Sequence, residues 1–198
     1  CGSGLESVIA ASRAIAVGDA SIFIAGGVES MSRAPWVFPK PDKAFPRGHE
    51  TAYSTTLGWR MVNPAMPQEW TISLGESAEL LADRYTISRE AQDAFALRSH
   101  QRAIAAWEAG RFAGEITSVP GVTLDRDESI RADTTIEALA KLKPAFRAGG
   151  TVTAGNSSPL NDGASALPIA DTSGVQRIGR EPLARIASRA VSAVAPQV

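Results

Sequence analysis

The chain has 198 residues, 44% of them hydrophobic, which is enough apolar material to bury a core as one large domain or as parts of two. A formal net charge of −1 leaves no footprint for nucleic acid or an anionic membrane, and no apolar run is long enough to span a bilayer. The single cysteine excludes an internal disulfide and fits a reducing compartment, taken as the cytoplasm, while one cysteine and two distant histidines offer no metal-ligand spacing.

Leu5, Val8, Ile9, Ser12, Ile15 and Ala16 recur at helical spacing and predict a helix over residues 1–17 with Cys1 at its amino end. There the helix dipole and unpaired N–H groups favour a thiolate over a thiol, which makes Cys1 a candidate nucleophile; a small buried apolar residue is the alternative. Gly2, Ser3 and Gly4 let the first turn pack closely and leave room for a substrate beside the sulfur. After a stop at Gly18-Asp19, Ile22 to Ala25 predicts a short strand buried on both faces. Gly26-Gly27 predicts a sharp turn that puts Glu29, Ser30 and Met31 past the strand's carboxyl end, where open α/β sheets bind ligands. A helix feeding such a strand predicts a layered α/β core.

Six prolines between Arg33 and Gln68 interrupt regular structure, and Trp36, Phe38, Phe45, Trp59 and Trp70 predict a long excursion pinned by aromatics. Helices resume near Leu74, with Glu76, Ala78, Leu80, Leu81 and Tyr85 on one amphipathic segment. Ser88 is the predicted N-cap of a second helix reaching Ala109 and ended by Gly110. Ala94, Leu97, Ile104 and Trp107 form its apolar stripe, and Arg89, Asp93, Arg98, Arg102 and Glu108 are assigned to water. His100 reads as a solvated side chain and His49 lies in the proline-rich excursion; neither has a third group to orient it as a base for Cys1. Residues 115–150 read as a polar segment with Asp125 to Glu128 in a solvated loop, then a short helix, then a turn. Thr151 to Ala154 predicts a strand turned by Gly155-Asn156, and Asn161-Asp162-Gly163 a turn into a buried element from Ala164 to Ala170.

The run Cys1-Gly2-Ser3-Gly4-Leu5, followed by Ser7-Val8 and Ile15, resembles the nucleophile signature of the thiolase family. Ile22-Phe23-Ile24-Ala25-Gly26-Gly27-Val28-Glu29-Ser30-Met31-Ser32, Ala140-Lys141-Leu142-Lys143-Pro144-Ala145-Phe146 and Thr151-Val152-Thr153-Ala154-Gly155-Asn156-Ser157-Ser158 resemble further thiolase segments in the family's order. Thr55-Thr56-Leu57-Gly58-Trp59-Arg60-Met61-Val62-Asn63-Pro64 is most similar to the 3-oxoadipyl-CoA branch. The resemblance implies an α/β fold: a thiolase-like layered α-β-α core with a large, mostly helical inserted loop domain, here incomplete. Residues 1–30 would be part of the N-terminal core, 31–150 the inserted CoA-binding loop domain, 151–180 the return to that core, and 181–198 the start of a truncated C-terminal core, with Leu183 to Val194 as its first strand. Beginning at Cys1 rather than at methionine, the chain reads as a fragment.

The implied activity is acyl transfer. Cys1 attacks the 3-keto carbon of a 3-oxoacyl-CoA, its backbone N–H contributing to an oxyanion hole, and a second CoA resolves the acyl-cysteine; condensation is the reverse. No cofactor is tightly bound, and coenzyme A and acyl-CoA are the substrates. By the same resemblance Arg131 contacts the nucleotide end of coenzyme A and Phe146 packs against it. Ala154 lets the pantetheine arm pass close to the backbone, Ser158 hydrogen-bonds that arm, and Leu74 joins the cofactor site. A small-molecule acyl-CoA is the implied partner, with a homodimer or homotetramer for the full-length protein and neither nucleic acid nor membrane. Ser73 stands where acetoacetyl-specific biosynthetic members commonly carry histidine, which points to a degradative or broader enzyme. The family's Gly-His-Pro, Asn-Glu and Cys-x-Gly-Gly-Gly motifs do not occur in these residues, so the chain alone is expected to be nearly inactive. Three rivals stay open: a ketosynthase, against which Arg131 and Phe146 argue, a noncatalytic thiolase-like binder of acyl-CoA or lipid, and a cysteine hydrolase, which would release free acid.

Overall fold

The structure is a computed structural model and describes residues Gly2 to Val198. In chain order its elements are α1 (Ser3–Ala16), β1 (Ile22–Glu29), β2 (Trp36–Val37), β3 (Tyr53–Ser54), α2 (Leu74–Tyr85), α3 (Arg89–Glu108), α4 (Ile136–Ala140), β4 (Gly163–Ala170) and α5 (Thr172–Ile178). They sort into two compact units. One runs to Thr56 and resumes over Leu160–Val194; the other comprises Leu57–Pro159 with Ala195–Val198.

In the first unit α1 forms where the apolar stripe predicts it. Gly2 supplies no side-chain cap, and the first turn closes through the Glu6 N–H bond to the Gly2 carbonyl at 2.9 Å. The other end is closed by Gly18, at φ +86°, with the Gly18 and Asp19 N–H groups on the Ile15 and Ala14 carbonyls at 3.0 Å. Ile9 is buried, Val8, Ser12 and Ile15 are partly so, and Leu5 is exposed, which shortens the predicted stripe.

β1 does not turn at Gly26-Gly27 but continues to Glu29, paired antiparallel with β4 from Ile22 opposite Ala170 to Glu29 opposite Gly163. Gly26 serves close approach instead: a Cβ there would stand 2.2 Å from the Ser165 carbonyl oxygen. Burial on both faces of Ile22 to Ala25 is not observed, and neither is burial of Ala164 to Ala170. Only Ala25 is buried in β1, and β4 is exposed over most of its length. The reason is the size of the sheet: α1 packs on a ribbon of two strands, too narrow to bury both faces. Leu183 to Val194 forms no strand among the described residues.

The proline-rich excursion is pinned by its backbone and not by its aromatics. Trp36-Val37 pairs with Tyr53-Ser54, and Thr55 donates both its N–H and its hydroxyl to the Pro35 carbonyl. Phe38, Phe45 and Trp59 remain exposed.

The second unit is built on α2, α3 and α4, each begun by a hydroxyl that accepts a backbone N–H. Ser73 takes that of Glu76, Ser88 that of Ala91 and Thr135 that of Ala138, at 3.1, 3.2 and 3.2 Å. Gly110, at φ +67°, ends α3 as predicted. Two assignments to water are corrected here. Asp93 is 3% exposed and ion-pairs with Arg89 at 2.8 Å, because Arg89 also reaches the Leu139 carbonyl at the end of α4 and pulls that face of α3 inward. Thr151 to Ala154 is not a strand: side chains take the N–H groups of Thr151, Val152 and Thr153 that a ladder would use.

Candidate active site

Cys1 lies outside the described residues. The helix that follows it begins in the open, for a Cβ added at Gly2 or Gly4 would meet nothing within 4 Å. On that side the expected close packing of the turn is not observed. From the other side, a Cβ on Gly27 would stand 4.0 Å from the Gly4 Cα, so the amino end of α1 rests against the far half of β1. Beyond β1, Ser32 donates its N–H and its hydroxyl to the Asp162 carboxylate at 2.8 and 2.5 Å. Those bonds hold the Asp162 carboxyl below its ordinary range and tie the loop after β1 to the start of β4. The turn residues Asn161-Asp162-Gly163 gave no sign of this long-range tie.

Leu74, Arg131, Phe146, Ala154 and Ser158 all fall in the second unit. Leu74 and Phe146 both lie at the first turn of α2. The Phe146 ring lies on the backbone of Gly75, where a Cβ would sit 2.2 Å from the ring, and Leu74 beside it is 78% exposed. Phe146 is half-exposed and edges a shallow depression lined by residues 143–149. Arg147, earlier assigned only general positive potential, locks the ring's backbone in place. Its guanidinium spans Glu76 at 2.6 Å and Asp83 at 2.5 Å, and the hydrogen bonds to those carboxylates raise its already high pKa.

Ala154 and Ser158 are exposed on a loop with a buried polar frame. The Asn156 side chain accepts the Thr153 N–H at 2.7 Å and donates to Asp93 at 3.0 Å and to the Thr151 carbonyl at 3.1 Å. Ser157 donates to the Thr153 carbonyl at 2.7 Å. The frame ends on Glu79 of α2, 1% exposed, which accepts the Thr151 and Val152 N–H groups and the Thr151 hydroxyl. Burial pushes the Glu79 carboxyl up, but these three hydrogen bonds, with help from the Arg147 charge, outweigh it and leave the group below its ordinary value. Sequence reasoning passed over Glu79, although Gly75, Glu79 and Ala82 share one helical face and are the buried residues of α2. Arg131 sits apart on an exposed loop, where its backbone N–H donates to His100 Nδ1 at 3.2 Å. His100 is thus an acceptor that fixes this loop to α3 and not the solvated side chain its neighbours suggested. No three His, Asp or Glu side chains among the described residues gather as a metal site.

The described residues thus form a helix-led α/β unit opening at a glycine-rich turn and a helical unit that carries an exposed aromatic and a small-residue loop. Residues 1–173 match the family model of the thiolase N-terminal domain, and the chain belongs to that family. It is 50% identical over its whole length to a beta-ketoadipyl-CoA thiolase of Pseudomonas aeruginosa, of which it covers 51%. It is 48% identical to the Escherichia coli 3-oxoadipyl-CoA/3-oxo-5,6-dehydrosuberyl-CoA thiolase, again covering 51% of that protein. Among solved structures it resembles human mitochondrial 3-ketoacyl-CoA thiolase in complex with CoA, with a TM-score of 0.80 and 36% identity over 92% of this chain and 46% of the human one. The fold is thiolase-like, and the chain spans about half the length of the curated relatives it matches.

Proposed function

We propose that the protein carrying this chain is a thiolase that moves an acyl group between a 3-oxoacyl-CoA and coenzyme A through a thioester on Cys1, in the reducing cytoplasm. The observation that carries the reading is the match over residues 1–173, which opens on Cys1 itself. The Cys1 thiolate adds to the 3-keto carbon, the C2–C3 bond breaks, and its electron pair leaves on the acetyl-CoA carbon, which takes a proton. The thiolate of a second CoA then attacks the acyl-cysteine and expels the Cys1 thiolate. Attacking and leaving groups are both sulfur, so the exchange is close to balanced. With one cysteine and two histidines in the chain, one of which holds a loop, the acid and base for these proton transfers come from residues beyond it.

In this reading the second unit takes the coenzyme A: Arg131 contacts its nucleotide end, Phe146 packs against it, Leu74 joins the site, and Ala154 and Ser158 take the pantetheine arm. The relatives' names favour a 3-oxoacyl-CoA with a second carboxylate, the 3-oxoadipyl type, over a plain acetoacetyl group. The test is to incubate the whole protein with acetoacetyl-CoA and with 3-oxoadipyl-CoA, quench, and map acylated peptides by mass. An acyl group on Cys1 that disappears in Cys1→Ser is the expected result. Coenzyme A binding without any adduct would replace the reading with that of a noncatalytic acyl-CoA binder.

A further inference from the structure

The loop that carries Ala154 and Ser158 and the segment that carries Phe146 are tied to one another, and both ties pass through the residues held by Glu79. The Thr151 N–H reaches both carboxylate oxygens at 2.8 and 2.9 Å, the Thr151 hydroxyl lies at 2.9 Å and the Val152 N–H at 2.8 Å. Val152 then accepts the Ala145 N–H at 2.9 Å, one residue before Phe146. On the other side Thr151 receives Gln92 on its hydroxyl and Asn156 on its carbonyl, and Asn156 sets the turn that leads to Ser158. Gly150 is part of the fit, because a Cβ there would stand 2.2 Å from Glu79 Oε1. A carboxylate this buried is tolerated only when its lone pairs are filled, and these donors fill them.

We propose that Glu79 is a positioning residue for coenzyme A. Its carboxylate, buried beneath the loop and without access to a ligand, sets the spacing between Phe146 and the pantetheine-binding residues Ala154 and Ser158. The inference rests on the coenzyme A reading of the second unit given above. Glu79→Gln keeps the shape and one oxygen for the Thr151 and Val152 N–H groups, but it sets an amide donor where the other oxygen accepted the Thr151 hydroxyl and shared its N–H, so the loop shifts while α2 stays.

The experiment is steady-state thiolysis of acetoacetyl-CoA by the whole protein, with Glu79→Gln and Thr151→Val beside the wild type and circular dichroism to confirm folding. The expected result is a KM for CoA raised about tenfold in Glu79→Gln and about threefold in Thr151→Val, with kcat within about twofold of wild type. A folded Glu79→Gln with unchanged KM, or one in which kcat alone falls, overturns the proposal while the coenzyme A reading stands. Should Glu79→Gln fail to fold, Thr151→Val, which keeps its N–H and its volume, decides in the same way. A wild type with no saturable dependence on CoA sinks the coenzyme A reading and this inference with it.

Discussion

Glu79 changes the acid stability of the chain as well as its shape. Its folded pKa lies below the ordinary value, so the group contributes stability that is complete above the unfolded carboxyl pKa of about 4.3 and is lost as pH falls through the lower folded value. Asp162 and Asp171 are depressed in the same direction, by hydrogen bonds from Ser32 and from the Gly174 N–H respectively, so the wild type alone cannot single out Glu79. The comparison that does is the urea midpoint from pH 3 to pH 7 for wild type and Glu79→Gln. The gap between the two should be widest at neutral pH and narrow as pH falls below the unfolded carboxyl pKa of about 4.3 toward the lower folded value. A constant gap across that range would mean that the Glu79 carboxyl titrates alike in the folded and unfolded chain, and a gap that shrinks as pH rises would mean that it is neutral in the fold. Nothing in residue type announces this group. A glutamate between Ala78 and Leu80 is ordinarily a solvated side chain, and only its sharing of a face with Gly75 and Ala82 marks it.

At the scale of elements, the helices were legible and the loops between them were not. Ser88 and Gly110 bracket α3 in the sequence as they do in the structure, because caps and stops are local chemistry. Thr151 to Ala154 was misread because its partners, Glu79 and Asn156, are side chains that no period-two pattern encodes. The proposed coenzyme A residues Phe146 and Ser158 were likewise visible only through the family's motifs, never through spacing. α4 shows how much of this unit is held by single side chains. It has five residues, too few to persist alone, with Thr135 capping its start and the Arg89 guanidinium on the Leu139 and Leu142 carbonyls, at 2.6 and 3.1 Å, closing its end. Arg89→Met removes that closure and leaves Asp93 buried without its cation, a loss of about 3–5 kcal/mol. Urea unfolding should show it, and hydrogen exchange should show Leu139 and its neighbours losing protection first. A cost below about 1 kcal/mol, the value of an exposed pair, would place Arg89 outside the frame.

At the scale of the whole molecule, the first unit leaves apolar surface uncovered: Ile24 and Val28 on β1 are 79% and 80% exposed, and Leu5 and Val17 of the neighbouring helix segment are exposed as well. Such a chain has little surplus of buried area to set against the entropy of ordering it. The chemistry is equally short of parts, since general acid and base groups contribute on the order of 10²–10⁴-fold to a rate and this chain has none assigned. The 198-residue chain on its own should therefore bind a hydrophobic dye, unfold over a broad urea range, and thiolyse acetoacetyl-CoA at least about 100-fold more slowly per mole than the whole protein. Coenzyme A binding, which we propose for the second unit, depends on neither deficit directly, so it should survive in weakened form. Equal rates per mole for chain and whole protein would overturn the assignment of acid and base to residues beyond this chain, and would leave His49 and His100 as the groups to test next.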